Sequence, residues 1–186
     1  GRERVDAAFS LEGARQIPAM ICYQGIVARD HWAEFTSAPW WHLLDNDPAC
    51  QLAWRREVAE RLGVDMFELP MLPPRRARER LRLSGDGDEV FQTDLLTGER
   101  KRLEKPCIGG WSFDACVQSV HTGKLPETWD EIEDFIPSAF DRNPEMEIRE
   151  GAADLAKLTL ADFGATLCPM GYVCAPLWHV FDALGF

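Results

Sequence analysis

Apolar positions along this chain recur at two spacings, every third or fourth residue in some stretches and as short continuous runs in others. Their alternation predicts an α/β fold. Val5, Ala8 and Phe9 share one face of a helix expected over about Arg2 to Leu11, with Gly13 as its C-terminal cap. Ile17 to Cys22 is a compact apolar run between Gln16 and Gln24-Gly25, which fits a buried strand bounded by turn residues. Asp30 is placed to cap a short helix through Phe35, and Pro39 to Leu44 predicts another before the Asp45-Asn46-Asp47 break. The clearest helix follows: Asp47 at the N-cap, Pro48 at the first helical position, Leu52, Trp54, Val58, Ala59 and Leu62 inward, and Gly63 just past the end. Val64 to Pro70 supplies the next strand, so Ile17 to Pro70 reads as one strand, helix, strand crossover.

The middle of the chain has a different rhythm. Arg78 to Leu83, Glu89 to Asp94 and Glu99 to Glu104 alternate at period two. They are separated by Ser84 to Asp88 and Leu95 to Gly98, the punctuation of an antiparallel β-meander inserted at about 78–104. Thr128 and Glu131 then form a capping box for a helix carrying Ile132, Phe135 and Ile136, which Pro137 ends. Asn143-Pro144 starts a longer helix, with Glu145 and Glu147 in its positive first turn, Leu155, Leu158 and Phe163 inward, and Gly164 at its close. Leu167 to Met170 is the following strand. It breaks at Gly171 and passes into an apolar helix through Leu177, Val180, Phe181 and Leu184, half of a β/α unit whose next parallel strand is missing. The expectation is a single domain over 1–186, with the look of the front portion of something larger.

Composition narrows the classes. The 186 residues carry 31 acidic and 20 basic side chains, a net charge of -11, and that field repels phosphate backbones and anionic lipid surfaces. No apolar run approaches the ~20 residues that span a bilayer, and the N-terminal Gly-Arg-Glu-Arg-Val-Asp does not resemble a signal peptide. A cytoplasmic protein without nucleic-acid or membrane partners is expected. Cys22, Cys50, Cys107, Cys116, Cys168 and Cys174 are scattered through apolar segments and read as free buried thiols, and no local zinc-ligand spacing occurs.

In α/β domains with parallel strands, chemistry gathers at the carboxyl ends of the strands. Here those ends are Cys22-Tyr23-Gln24, Glu68-Leu69-Pro70 and Gly171-Tyr172-Val173-Cys174. Glu68, embedded in Met-Phe-Glu-Leu-Pro, is the sharpest catalytic candidate. It is either desolvated and suited to proton transfer or pointed by strand alternation toward solvent or an arginine. Tyr23 and Tyr172 both fall just past strand ends, where a phenol can hydrogen-bond a ligand. His31 and His42 lie beside Trp32, Trp40 and Trp41, a cluster that suits either a wall for a flat ligand or the packing of a helical cap. His179 on the last helix reads as a packed or surface residue, and Cys174 as a small buried hydrophobe within reach of a metal held from elsewhere. Arg78, Arg80 and Arg82, at period two in a basic run, are expected on the solvated face of a meander strand, answered by nearby acids.

The stretch Gly171-Tyr-Val-Cys-Ala-Pro-Leu-Trp-His-Val-Phe-Asp-Ala-Leu-Gly185, with Arg55 to Pro70 ending Glu-Arg-Leu-Gly-Val-Asp-Met-Phe-Glu-Leu-Pro, resembles the uroporphyrinogen decarboxylase superfamily. The resemblance implies the N-terminal half of a (β/α)8 TIM-type barrel, parallel-stranded, with the meander as an insertion. That superfamily includes tetrapyrrole decarboxylases and corrinoid- or thiol-linked methyltransferases. Its decarboxylases carry an arginine-rich loop after the first strand, an aspartate after the second and a tyrosine in the helix after the Gly-x-x-x-x-Pro turn. At those places this chain has Tyr23 to Arg29, Glu68 and approximately Asp182, and all three depart.

The methyltransferase branch resembles the chain, less specifically, in its Asp30-His31-Trp32 and Trp40-Trp41 surroundings. It implies a zinc ion held by residues of the second half of the barrel and none within this chain. The expected partner is then a small molecule or a corrinoid protein that gives or takes a methyl group, with Glu68, Tyr23, Gln24, His31, Tyr172, Cys174 and Asp182 around the pocket. Tetrapyrrole decarboxylation is the alternative. A non-catalytic half-barrel that pairs with another chain, or with its own copy through an open edge, is a third.

Overall fold

The computed structural model describes residues 1–21, 23–86, 89–106, 108, 127–131 and 143–171. It is mixed α/β, with a parallel two-stranded sheet and a separate antiparallel sheet of three strands; no closed barrel is formed among the described residues. In chain order the elements are α1 (Arg2–Ala8), α2 (Gln24–Asp30), α3 (Trp32–Phe35), a 3-10 turn at Trp40–Leu43, α4 (Pro48–Leu62) and β1 (Met66–Glu68). There follow α5 (Arg75–Arg80), β2 (Leu81–Asp86), β3 (Glu89–Asp94), β4 (Arg100–Leu103), α6 (Pro144–Arg149), α7 (Asp154–Phe163) and β5 (Cys168–Met170). None of the described helices is long and apolar enough to cross a membrane.

The spine is α4, and it forms as its sequence dictates. The Asp47 carboxylate accepts the Cys50 N–H at 2.8 Å, Pro48 opens the first turn, and Gly63 ends the helix at φ 61°, a left-handed conformation that glycine adopts without a Cβ penalty. Its buried positions are Gln51, Trp54 and Val58, one turn apart. The indoles of Trp32 and Trp54 meet at 5.2 Å, and Ala28, Leu43 and Val58 complete this core, with Trp40 and Phe35 against its margin. Trp32 donates its N–H to the Ala38 carbonyl at 2.7 Å, and Trp41 lies over Gly85 of β2, where a Cβ would come within 3.3 Å of the indole nitrogen. Packing accounts for these tryptophans.

β1 and β5 run parallel, with Met66 opposite Cys168 and Glu68 opposite Met170. Asp65, one residue before β1, ties this pair to the N-terminal segment. Its N–H donates to the Ala19 carbonyl and its own carbonyl accepts the Cys168 N–H, both at 2.9 Å. Its side chain, only 2% exposed, accepts the Ala19 N–H at 2.8 Å and pairs with Arg4 of α1. Ala19 is therefore held alongside Asp65, but Ile17 to Ile21 is not the buried strand expected there. Ala19 is the residue of this segment bonded to Asp65, and Ile17 is 90% exposed, so the strand, helix, strand crossover from Ile17 to Pro70 is corrected to one short strand with an irregular neighbouring segment.

The antiparallel meander forms, but its first strand is shifted, since Ser84 to Asp86, expected in the turn, pair with Phe91 to Glu89. Leu81 pairs with Asp94 at one end of the β2–β3 ladder and Asp86 with Glu89 at the other, while Val90 to Thr93 pair with Leu103 to Arg100. Arg78 and Arg80 are corrected, since they belong to helix α5 and not to a strand. Arg75 and Arg78, one helical turn apart, converge on Asp154 at 3.0 and 2.6 Å. The period-two spacing of Arg78, Arg80 and Arg82 was compatible with a strand, but the charge partner selects the helix. The long helix expected from Asn143 is two, because Gly151 at φ 92° breaks it, and a Cβ there would lie 2.6 Å from the Asp154 carboxylate. Leu155 is fully buried and Phe163 nearly so, but Leu158 faces outward. Thr128 and Glu131 do form a capping box, the hydroxyl accepting the Glu131 N–H at 3.3 Å and the carboxylate accepting the Thr128 N–H at 3.1 Å. The rest of that helix lies outside the described residues.

Asp65 generates the first prediction. The Ala19 N–H, followed by Arg4, holds its carboxyl below the ordinary value of 3.8 despite the opposing effect of burial. A depressed folded-state value means that this stabilisation is present above the unfolded value and fades as pH falls through the folded one. Asp65→Ala leaves the Ala19 N–H without its acceptor and should cost about 3 kcal/mol at pH 7 in urea unfolding. Asp65→Asn should lose less stability than the native chain between pH 5 and about pH 3; an equal loss in both would show that the carboxylate contributes nothing to the acid limb.

Candidate functional site

A cavity of about 380 Å³ lies against the carboxyl end of β1, where Phe67 and Glu68 form one side of it. Helix α4 contributes Trp54, Arg55, Val58 and Ala59, α7 contributes Thr159 and Phe163, and the start of α2 contributes Tyr23 to Ile26. Its size falls in the range of small-molecule sites, and most of its walls are apolar with a few polar groups. Phe67 and Phe163 meet edge to face at 5.5 Å, and the Thr159 hydroxyl donates to the Leu155 carbonyl at 2.8 Å, so this wall is fixed by packing and by a satisfied hydrogen bond.

Tyr23 is the one non-glycine residue among those described with a positive φ, at φ 60° and ψ 44°. A left-handed tyrosine is strained, and strain of this kind collects where a site requires a particular direction of the chain. Here it opens α2 as its N-cap, with its carbonyl accepting the Ile26 N–H at 2.9 Å. The turn sets Tyr23 and Gln24 at the cavity.

Arg55 is the polar group that the sequence reading did not single out. Its guanidinium lies 4.1 Å over the Trp54 ring, and its Nη1 donates to the side-chain oxygen of Gln51 and to the Gln51 carbonyl at 3.4 Å. Gln51 is itself clamped, its amide N–H₂ donating to the carbonyls of His42 at 2.7 Å, Leu43 at 3.2 Å and Asp45. Burial lowers Arg55 to about 10, against the attraction of the Glu68 carboxylate, so it remains a cation at neutral pH. A signal was available: Gln51 and Arg55 flank Trp54 on the inward face of α4, where an apolar stripe alone would call for neither.

Of the expected site residues, Glu68, Tyr23 and Gln24 are brought together at this cavity. His31 is not among its lining. The ring is exposed, with Nδ1 3.0 Å from the Glu34 carboxylate and its edge toward Phe35. Tyr172, Cys174 and Asp182 lie outside the described residues, as does His179. Among the described residues no group of three or more His, Cys, Asp or Glu side chains is arranged to hold a metal ion.

The fold and site thus define an α/β protein with a ligand-sized cavity at the end of a parallel strand. The chain matches no protein-family model, no curated protein and no solved structure.

Cys50 and Cys168 are free thiols, and the other four cysteines lie outside the described residues. Burial, followed by the carboxylates of Asp45 and Asp47, pushes the Cys50 thiol up to about 12. Because the thiolate is the reactive form, Cys50 should be alkylated by iodoacetamide at pH 8 at least ~100-fold more slowly than an unperturbed thiol. Peptide mapping by mass spectrometry reads this directly, and rapid labelling would contradict the assigned environment.

Proposed function

We propose that this cavity is the organic-substrate site of an enzyme of the uroporphyrinogen decarboxylase type, in its methyl-transferring branch, with the chain forming the first part of a (β/α)8 barrel. The observation that carries the reading is the position of the cavity: it sits at the carboxyl end of a strand paired in parallel and is lined there by Glu68, Tyr23 and Gln24. The parallel pairing of β1 with β5 supports the reading of this sheet as the start of such a barrel, and Ala19 bonds Asp65 just before β1.

Glu68 acts at the cavity wall as a hydrogen-bond acceptor or base toward the methyl acceptor, and Tyr23 and Gln24 orient the body of the substrate. In the methyl transfer the thiol would give up its proton, with Glu68 as the acceptor at the cavity wall, and the sulfur would take the methyl carbon as the cobalt–carbon bond of the donor breaks, its electron pair leaving with the corrinoid, to give a thioether. The residues described do not assemble a zinc site, so no step assigned to this chain runs through that metal. Tetrapyrrole decarboxylation is the second reading, favoured by the carboxylate at the end of β1. The half-barrel that pairs with another chain is the third, motivated by a parallel sheet that has two strands among the described residues.

The test uses the protein that contains this chain, supplied with methylcobalamin and a simple thiol in one assay and with uroporphyrinogen in another. Thioether formation that drops at least ~100-fold in Glu68→Ala is expected, the loss usual for a positioned acid or base. Release of carbon dioxide from uroporphyrinogen would transfer the assignment to the decarboxylase reading. Neither product, from a protein that light scattering shows to be paired through this domain, would favour the non-catalytic reading.

A further inference from the structure

We propose that Arg55 is the anion anchor of this cavity, and that the ligand it selects carries a single carboxylate on a flat apolar body. The inference rests on the reading of the cavity as a ligand site and adds the class of ligand. Arginine at the wall of an apolar cavity is unusual unless its charge is answered, because the guanidinium surrenders hydration when it is buried. Among the described residues the answer is incomplete. Only Nη1 is engaged, by Gln51, and one face of the guanidinium is covered by Trp54, while Nε and Nη2 make no hydrogen bond among the described residues. Those two nitrogens form the side of the fork that receives a carboxylate in bidentate fashion.

The mounting is rigid. Gln51 is fixed by three carbonyl groups of the turn that precedes α4, and Trp54 is locked against Trp32 in the core, so the guanidinium is held in orientation before any ligand arrives. The counter-charge argues for one carboxylate and against a phosphate. Glu68 lines the same cavity and already acts on Arg55 through space, so a dianion would meet its repulsion, while a monoanion leaves the site with one net negative charge. Phe67, Phe163 and Val58 supply the apolar walls, and about 380 Å³ accommodates a body of one or two fused rings.

The probes are 1-naphthaleneacetate and 1-naphthaleneacetamide, matched in ring and bulk and differing in charge. Each is titrated against the full chain while the Trp54 indole N–H resonance is followed by NMR. The acetate should bind roughly tenfold more tightly than the amide, about the value of one charge-assisted hydrogen-bonded pair. In Arg55→Gln the acetate should fall to the affinity of the amide while the amide is unchanged, and Arg55→Lys should keep part of the ratio. Glu68→Gln should tighten the acetate alone by about threefold, the sign expected when a like charge is removed. This last variant decides the matter if Arg55→Gln fails to fold.

Equal binding of acetate and amide to the native chain, or a preference for acetate that survives Arg55→Gln, overturns the anchor and leaves the cavity as a ligand site. Failure of both probes to bind at millimolar concentration overturns the anchor together with the site. Methyl transfer without carboxylate preference would leave the proposed activity standing and remove Arg55 from substrate recognition.

Discussion

One buried carboxylate holds the sheet region together. Asp65 sits where three chain segments meet: its backbone bonds Ala19 on one side and Cys168 on the other, and its side chain binds the Ala19 N–H and Arg4. A carboxylate with so little access to water is tolerable only when its charge is answered, and here Oδ2 accepts the Ala19 N–H while Arg4 and the N-terminal ammonium pair with Oδ1. The consequence reaches the site. The cavity lies three residues further along β1, beside Tyr23, which is four residues beyond Ala19, so the bond that fixes Ala19 to Asp65 also sets the distance between the two sides of the cavity mouth.

The other fixed element is α4, which is both the core of the domain and a wall of the cavity. Trp54 and Val58 pack with Trp32 and Leu43 and also line the cavity, so packing and site share the same side chains. Neighbouring arginines on this helix show how rotation by one residue changes a fate. Arg56 turns outward and grips Asp162 of α7 through two hydrogen bonds at 2.9 and 2.8 Å, which pins α4 to α7 at the surface. Arg55, about 100° around the helix, is directed to the cavity and takes its support from Gln51, one turn back. The outer pair sets helix spacing, and the inner arginine then finds itself in a space of defined width.

Elements with strong local chemistry were legible in the sequence, and those decided by distant partners were not. Asp47, Pro48 and Gly63 delimit α4 because caps act within a turn of themselves, and the meander is marked by Gly98 and by Asp94, whose carboxylate accepts the Leu96 and Thr97 N–H groups in the turn. Ile17 to Ile21 has the composition of a strand, but a strand requires a ladder, and only Ala19 finds one. Helix α2 went unread because nothing caps it: its N-cap is Tyr23 in a left-handed turn, which no propensity favours. The division between α6 and α7 is imposed at Gly151, where Arg75 and Arg78 approach Asp154 too closely for any side chain. Of the residues placed past expected strand ends, Tyr23, Gln24 and Glu68 meet at the cavity, although no strand precedes Tyr23, and Tyr172 and Cys174 lie outside the described residues. Arg55 was missed because a charged residue on a helix is ordinarily read as solvent-facing, and its place beside Gln51 and Trp54 on the inward face of α4 was the one sequence signal against that.

The arginines also explain how an acidic chain acquires a cationic point inside a pocket. Arg75 and Arg78 are committed to Asp154, Arg80 to Asp94, and Arg102 to Glu89, pairs at the surface or near it that organise α5 and the meander. In the α5 pairs the carboxylates receive charge-assisted hydrogen bonds from more than one donor, and Asp94 is held down to about 2 by Arg80 and the turn N–H groups. Arg55 is met differently, by a neutral amide, an aromatic face and the Glu68 carboxylate that lines the same cavity. A neutral hydrogen-bond partner orients a guanidinium without forming an ion pair with it. With a net charge of -11 the long-range field opposes the entry of any anion, so selectivity for a carboxylate must be generated locally, by hydrogen bonds at short range from the guanidinium.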